Sequence, residues 1–324
     1  MSEKNIVLSG VQPTGNLHLG NYLGAIKNFV SMQKDYECLF CVVDLHAITV
    51  FQDPKDLKNN TYEIVASYLA SGINQDESII FNQSQVSFHA ELAWVLSCVC
   101  RIGWLNRMTQ FKEKAGKDKE KASAGLYTYP ILMASDILLY KATHVPVGND
   151  QKQHLEMTRD IAIKFNNSFG EIFTIPEIEI DKSNEVVIGV DNQKMSKSYN
   201  NTIPIFADND TIKNQVMNIV TDSAGLNEPK DKNTTLFKIY SLFLNDESKK
   251  ELAERYDTPG LKYMDVKNEL IETIISFFEF QRSKREQLLA NPDEVNQKMI
   301  LGQNKAKKIA QKTLQEVKSA TGLL

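Results

Sequence analysis

Asn5-Ile-Val-Leu-Ser-Gly-Val-Gln-Pro-Thr-Gly-Asn-Leu-His-Leu-Gly-Asn21 is an apolar run, a break and the opening of a helix. Asn5 to Ser9 reads as a short strand. Pro13 and Gly15 interrupt the chain after it, and Leu17 to Phe29 has helical spacing. The pattern then recurs: Cys38 to Val43 suits a buried strand, Asp53 to Leu69 a second helix and Ser78 to Phe81 a third strand. Strands alternating with helices imply right-handed crossovers, so the expected fold is α/β, a doubly wound parallel sheet of Rossmann type. Such sheets hold ligands beyond the carboxyl ends of their strands, which puts the expected site where residues 10–21 leave the first strand.

Further along, His89 to about Arg107 and Pro130 to Tyr140 are helical in pattern, separated by the charged, small-residue stretch Lys112 to Gly125. We read this region as a helical insertion near 104–145. Beyond Ala207 the chain turns to charged amphipathic helices, Asp210 to Ile219, Thr235 to Leu244, Tyr263 to Leu289 and Val295 to Val317. The expected division is therefore 1–206, the sheet domain with its insertion, and 207–324, an all-helical domain.

The 324 residues suffice for about two domains on a prior of ~150 residues each. A net charge of −4 and a pI near 5.8 exclude a globally basic surface, so a nucleic-acid partner has to be met by local patches. Arg282, Lys284 and Arg285 form one such cluster, and Lys305, Lys307, Lys308 and Lys312 another; a solvated charged helix face explains them equally well. The first residues carry no apolar core of signal-peptide length, and no apolar run is long enough to span a bilayer, so the expected location is the cytosol, away from membranes. Cys38, Cys41, Cys98 and Cys100 are spaced so that neither pair is preset to grip a metal, and we expect buried, reduced thiols and no metal site.

Two motifs carry the chemistry. His18 and Asn21 fall in the first turn of a helix that follows a proline- and glycine-broken strand, where free N–H groups and the positive end of the helix dipole suit a phosphate. Gly20 lets a nucleotide come close to the backbone. An ordinary strand-to-helix turn uses the same Gly and Pro. Far downstream, Lys194-Met-Ser-Lys-Ser198 lies between the turn-rich flanks Asp191-Asn-Gln and Tyr199-Asn-Asn. Two ammonium groups there can neutralise a departing pyrophosphate while Ser198 and the backbone add hydrogen bonds. No lysine-bearing P-loop is present.

A third element concerns selectivity. Tyr129, Met133 and Asp136 recur at i, i+4 and i+7, so a phenol, a thioether and a carboxylate share one helical stripe among apolar neighbours. A buried carboxylate needs a hydrogen-bond donor; an indole N–H from a ligand supplies one, and so does a backbone N–H or an arginine. Val145 to His154 reads as a short strand running into a helix, with Gly148 permitting close approach and Asp150 able to accept from ribose hydroxyls. His46, at the end of the second strand, is open to two readings, a ligand contact or a histidine satisfied within the fold.

The histidine turn, with Asn21 in its fourth position, and the Lys-Met-Ser-Lys-Ser loop together resemble the class I aminoacyl-tRNA synthetases. Tyr129-Pro-Ile-Leu-Met-Ala-Ser-Asp136 and Ile102-Gly-Trp-Leu-Asn-Arg-Met-Thr-Gln-Phe narrow the resemblance to the tryptophanyl family. It implies that tryptophan and ATP, with Mg2+, form an aminoacyl-adenylate, and that the aminoacyl group passes to tRNA(Trp). His18, Asn21, Lys194, Lys197 and Ser198 are then catalytic. Gln12, Pro13, Thr14, Gly20, Asn21, Gly148, Asn149, Asp150, Val186, Lys194, Met195, Ser196, Lys197 and Ser198 handle ATP. Asp136 takes the indole N–H, Met133 packs on the ring, Tyr129 with Gln151 holds the α-amino group, and His46 lines the pocket. The resemblance further implies an anticodon-binding role for the helical domain and a homodimer. Related tyrosyl enzymes place a tyrosine on the first strand, where this chain has Leu8, so tryptophan is the expected amino acid.

Overall fold

The computed structural model describes residues 5–13, 15, 17–114, 121–180 and 187–324. Its centre is a five-stranded, all-parallel sheet of order β3-β2-β1-β4-β5, made of β1 (Ile6–Val11), β2 (Glu37–Val42), β3 (Ser78–Asn82), β4 (His144–Val147) and β5 (Glu177–Ile180). The register aligns Leu8 with Leu39 on β2, and Leu39 with Ile79 on β3. β2 and β3 are apolar on both faces, as expected of strands covered from both sides. The order turns outward from β1 in both directions, so the crevice that such sheets use for ligands opens between the carboxyl ends of β1 and β4. β5 has no counterpart in the sequence reading, because Glu177-Ile-Glu-Ile is too short and too charged to stand out.

By contacts the chain forms two compact units, residues 1–15, 29–182 and 288–324 in the first and 16–28 and 183–287 in the second. These packing units do not follow the chain-order division expected at Ala207 from the change of sequence pattern.

In the first unit the sheet packs with α4 (Pro54–Ala70), α5 (Phe88–Ser97), α8 (Ala124–Leu139) and α9 (Lys152–Phe169). Asp53 caps α4 through the N–H groups of Lys55 and Asp56, and Ser123 caps α8 through that of Leu126. The last helix, α15 (Pro292–Thr321), lies on β3 and also touches α4, α5 and α8. Its approach is so close that a side chain at Gly302 would collide with the carbonyl of Ile80. Lys141 pairs with Glu316 at 2.6 Å, and Lys318 with Glu91.

The second unit gathers α1 (Leu19–Asn21) and the π-helical turn Tyr22–Ile26 with α10 (Asn209–Met217), α11 (Thr235–Ser241), α12 (Asp246–Asp257), α13 (Tyr263–Phe277) and most of α14 (Glu279–Ala290). Tyr22 meets Phe278 edge-on at 4.8 Å, where the single helix expected over Tyr263 to Leu289 is broken into α13 and α14. α12 was not anticipated: its charge-rich sequence buries only Leu252 and Tyr256.

No helix among the described residues is long and apolar enough to cross a membrane. Cys38 and Cys41 are buried and free as expected, and burial raises the Cys41 thiol well above its usual range. Against expectation Cys98 is exposed and Cys100 only half-buried, Cys98 lying between the buried Leu96 and Val99.

Candidate active site

In the second unit His18 precedes α1 with extended backbone, φ −119° and ψ 169°. Its N–H donates to Asn21 Oδ1 at 3.1 Å, so Asn21 can donate to a ligand only through Nδ2. Leu19 N–H is taken by the Ile203 carbonyl at 2.9 Å. Gly20 N–H rests on the sulfur of Met195 at 3.3 Å. A thioether is a weak acceptor, so a phosphate oxygen can replace it at small cost. A Cβ on Gly20 would come within 3.1 Å of the His18 ring and 3.4 Å of Met195 Sδ, so glycine is what lets the lysine loop seat on the histidine turn.

His18 is buried, and its Nδ1 has no hydrogen-bond partner among the described residues. Burial first, then the nearby charge of Lys197, lowers its pKa from 6.5 to about 4. The ring is therefore neutral at pH 7 and offers a phosphate one N–H donor without a titrating charge.

The lysine loop is a compact hairpin. Ile188 bridges Lys194, Gly189 N–H donates to Gln193 O at 2.7 Å, and Met195 N–H donates to Val187 O at 2.8 Å. Asn201 is its hub and is buried. Its Nδ2 donates to Asp191 Oδ1 at 2.7 Å and to Lys194 O at 3.0 Å, while its Oδ1 accepts from Ser196 N–H at 2.8 Å. Asn192 and Asn200 take the left-handed conformation that asparagine tolerates best after glycine. Met195 is buried by this arrangement and Lys194 and Lys197 are left exposed. Thr14 and Val186 lie outside the described residues, and of Asn149 and Ser198 only the backbone is described.

In the first unit, exposed Gln12 and buried Pro13 follow β1, and Gly148 follows β4, the adjacent strand. A Cβ on Gly148 would lie 2.7 Å from Asp150 Oδ1. Asp150 is exposed and belongs to the 3-10 turn Asn149–Gln151 that leads into α9.

On α8, Asp136 is buried and Met133 is partly buried at the edge of the core. Three side chains donate to the carboxylate. His89 Nδ1 reaches Oδ1 at 2.6 Å, His46 Nε2 reaches Oδ2 at 2.8 Å, and Gln83 Nε2 spans both oxygens at 2.8 and 2.9 Å. The donor that a buried carboxylate requires is thus neither backbone N–H nor arginine. Burial pushes the Asp136 pKa up, but the hydrogen bonds from His46 and His89 outweigh it and hold it at about 2. His46 is accordingly satisfied within the fold, with its ring edge-on to Tyr129 at 6.0 Å.

Tyr129 and Gln151 are joined through His154, which is buried. His154 Nδ1 lies 3.0 Å from Gln151 Oε1, and His154 Nε2 lies 2.9 Å from the Tyr129 hydroxyl. An amide oxygen only accepts, so Nδ1 carries the proton and Nε2 accepts from the phenol. Gln151 Nε2 in turn donates to Asp150 at 2.9 Å.

Sequence reasoning missed Gln83, His89, Tyr140, His154 and Asn201. Gln83 carried a usable signal, since it directly follows the carboxyl end of β3, the rim where such sheets place ligands.

A neutral histidine turn seated on a lysine loop, together with a doubly wound sheet, defines a class I tRNA synthetase. The family model for class I tRNA synthetases of tryptophan and tyrosine matches residues 1–279, and the chain belongs to that family. Within it the chain is similar to the tryptophan–tRNA ligases of Caldanaerobacter subterraneus, 48% identical with 98% of each chain covered, and Fusobacterium nucleatum, 46% identical with 98% of each covered. Among solved structures, tryptophanyl-tRNA synthetase from Campylobacter jejuni in complex with ADP and tryptophan superposes with a TM-score of 0.93, at 44% identity, over 98% of this chain and 99% of that one.

Proposed function

We propose that this chain activates L-tryptophan with ATP and transfers it to the 3′ end of tRNA(Trp), releasing pyrophosphate and AMP. The observation that carries this reading is the contact of Gly20 N–H with Met195 Sδ, which joins the His18 turn to the lysine loop, with the charge of Lys197 near the His18 ring. In the reaction, the tryptophan carboxylate attacks the α-phosphorus in line and the bond to pyrophosphate breaks. His18 and Asn21 Nδ2 donate to phosphate oxygens. Lys194 and Lys197 take up the charge that builds on the leaving pyrophosphate, and Ser198 adds a hydrogen bond. Gln12, Pro13, Thr14, Gly148, Asn149, Asp150 and Val186 hold the nucleoside, Asp150 by accepting from the ribose. Mg2+ enters on the triphosphate and keeps most of its waters, in line with its reluctance to shed them.

Asp136 reads the indole N–H while Met133 packs on the ring. Tyr129 and Gln151 hold the α-amino group, their acceptor oxygens directed by His154. Leu8 is buried in the core and offers no hydroxyl partner, which supports tryptophan over tyrosine. A polar contact of this kind rejects isosteres strongly enough that no editing domain is required.

The anticodon role expected of 207–324 is best supported for α11 to α14. α15 packs in the first unit, while Arg282 is occupied by Asn209 at 2.6 Å and Arg285 covers Phe206, which leaves Lys284 as the exposed cation of that cluster. A homodimer is supported by the apolar side chains exposed on the first unit, Phe51, Trp94 and Ile102, which are 89, 73 and 70% exposed. The cytosol, where translation proceeds, is the proposed location.

Amino-acid-dependent ATP–pyrophosphate exchange tests the reading. Exchange with tryptophan is expected to exceed that with tyrosine by at least ~10³-fold and to collapse in Asp136→Ala. Equal exchange with tyrosine, or none with either amino acid, refutes it.

A further inference from the structure

The carboxylate of Asp136 has no lone pair to spare. Oδ1 takes His89 and Gln83, Oδ2 takes His46 and Gln83, and a carboxylate has about four acceptor sites. An indole N–H arriving there has to displace a donor, and the three donors are not equivalent.

Gln83 is fully buried. It grips both carboxylate oxygens, and its own Oε1 accepts from Leu45 N–H at 3.1 Å. His89 is also fully buried. Its Nε2 lies 2.8 Å from the Tyr140 hydroxyl, and its ring is tilted against Phe81 at 5.9 Å. Nδ1 must donate to the carboxylate, and in the neutral ring Nε2 is then left to accept from Tyr140, which fixes the tautomer. Tyr140 is itself fully buried, and burial raises its pKa, so it remains a donor.

His46 differs in its setting. Like His89 it makes one contact to the carboxylate, but it lies on the four-residue helix α3 (Asp44–Ala47), retains slight exposure, and faces Tyr129, a residue of the proposed tryptophan pocket.

We infer that Gln83 and His89, the latter locked by Tyr140, are positioning residues that clamp Asp136, and that His46 is an exchangeable donor whose place on Oδ2 the indole N–H takes when tryptophan binds. The inference rests on the reading that Asp136 receives that N–H. It changes what selectivity consists of, since tryptophan gains a hydrogen bond only by breaking another. An analogue lacking the N–H leaves His46 where it is. Wild-type discrimination against such an analogue is therefore smaller than the pocket could give. The variant His46→Ala, which cannot refill the lone pair, is expected to discriminate roughly tenfold more strongly, the factor carried by one hydrogen bond to a charged group.

The test is long-range proton–nitrogen NMR of the full chain labelled with 15N in its five histidines. His46→Ala and His89→Gln assign the two rings. Saturating tryptophan is expected to shift the His46 nitrogens while His89 keeps its pattern, Nδ1 protonated and Nε2 accepting. 3-(Benzothiophen-3-yl)alanine, with sulfur for N–H and a comparable ring current, is expected to leave His46 on the carboxylate. A moving His89, an unmoved His46 under tryptophan, or a His46 that responds identically to both ligands overturns the exchange. Asp136→Asn in pyrophosphate exchange separates this failure from a deeper one. If it prefers tryptophan over the analogue by the wild-type factor, Asp136 does not read the N–H at all; if its preference is lost while His46 stays still, only the donor exchange is wrong.

Discussion

Replacing Gly302 by alanine isolates the packing of the terminal helix in a single methyl group. The residue lies within α15, and an added Cβ would stand 1.8 Å from the carbonyl oxygen and 2.8 Å from the carbonyl carbon of Ile80 on β3. An ordinary carbon–oxygen contact is about 3.3 Å or more, so the helix has to retreat by roughly 1.5 Å. A gap of only 0.5–1 Å already forfeits about a quarter to a half of the attraction between facing atoms. The retreat thus loosens the whole buried seam of Val295, Ala306, Ala310, Leu314 and Val317. Overpacking of this severity costs about 3 kcal/mol or more. Alanine is the better helix former by about 1 kcal/mol, which offsets part of it. The net expectation is a loss of about 2 kcal/mol, seen as a fall in thermal midpoint of roughly 4–8 °C by circular dichroism. Gly103→Ala is the control, since nothing lies within 4 Å of its Cβ position, and it should not lower the midpoint. A Gly302→Ala protein as stable as wild type would show that α15 does not rest on β3, and the assignment of residues 288–324 to the first unit would go with it.

His18 supplies a pH prediction. Its pKa in the fold is about 4 against 6.5 ordinarily, so between those values the unfolded chain binds the extra proton and stability rises with pH. Relative to His18→Asn, wild type should lose stability as pH falls from 6.5 towards 4, with a ceiling of about 3 kcal/mol; parallel urea midpoints across that range would refute it. Asn201→Ala removes the hub of the lysine loop and should lower kcat for pyrophosphate exchange at least ~10-fold while moving KM for tryptophan little, because the hub touches only the loop. An unchanged kcat would mean the loop holds its shape without it. His154→Phe frees the Tyr129 proton from its acceptor and should raise KM for tryptophan by about 10-fold, with a smaller effect on KM for ATP; equal changes in both would point to general disruption instead.

What could be read in the chain, and what could not, follows the range of the interactions. The alternation from Ile6 to Asn82 was legible because a strand buried on both faces has to be apolar and the turn after it needs Pro13 and Gly15, both local demands. The His18 turn, the lysine loop and the Tyr129–Asp136 stripe were legible for the same reason. α15 was visible as a helix but not as a neighbour of β3, since amphipathic periodicity says that a face is buried and not against what. Gly302 was the one hint, a glycine in a helix that pays about 1 kcal/mol for a close approach.

The polar partners of the site were hidden more thoroughly. Gln83 and His89 lie 53 and 47 positions from the carboxylate they hold, and no pattern of spacing connects them. The carboxylate itself is the clue of the right kind. Asp136 is surrounded in sequence by isoleucine and leucine, so it must either be ionised and fully hydrogen-bonded or be neutral. Once its pKa is held near 2, donors have to be found for every lone pair, and only side chains from other elements can supply them. On the proposed reading, in which Asp136 takes the substrate's N–H, the carboxylate is therefore occupied before the substrate arrives. Recognition at such a group is an exchange of donors, and its selectivity is set as much by the donor that leaves as by the one that comes.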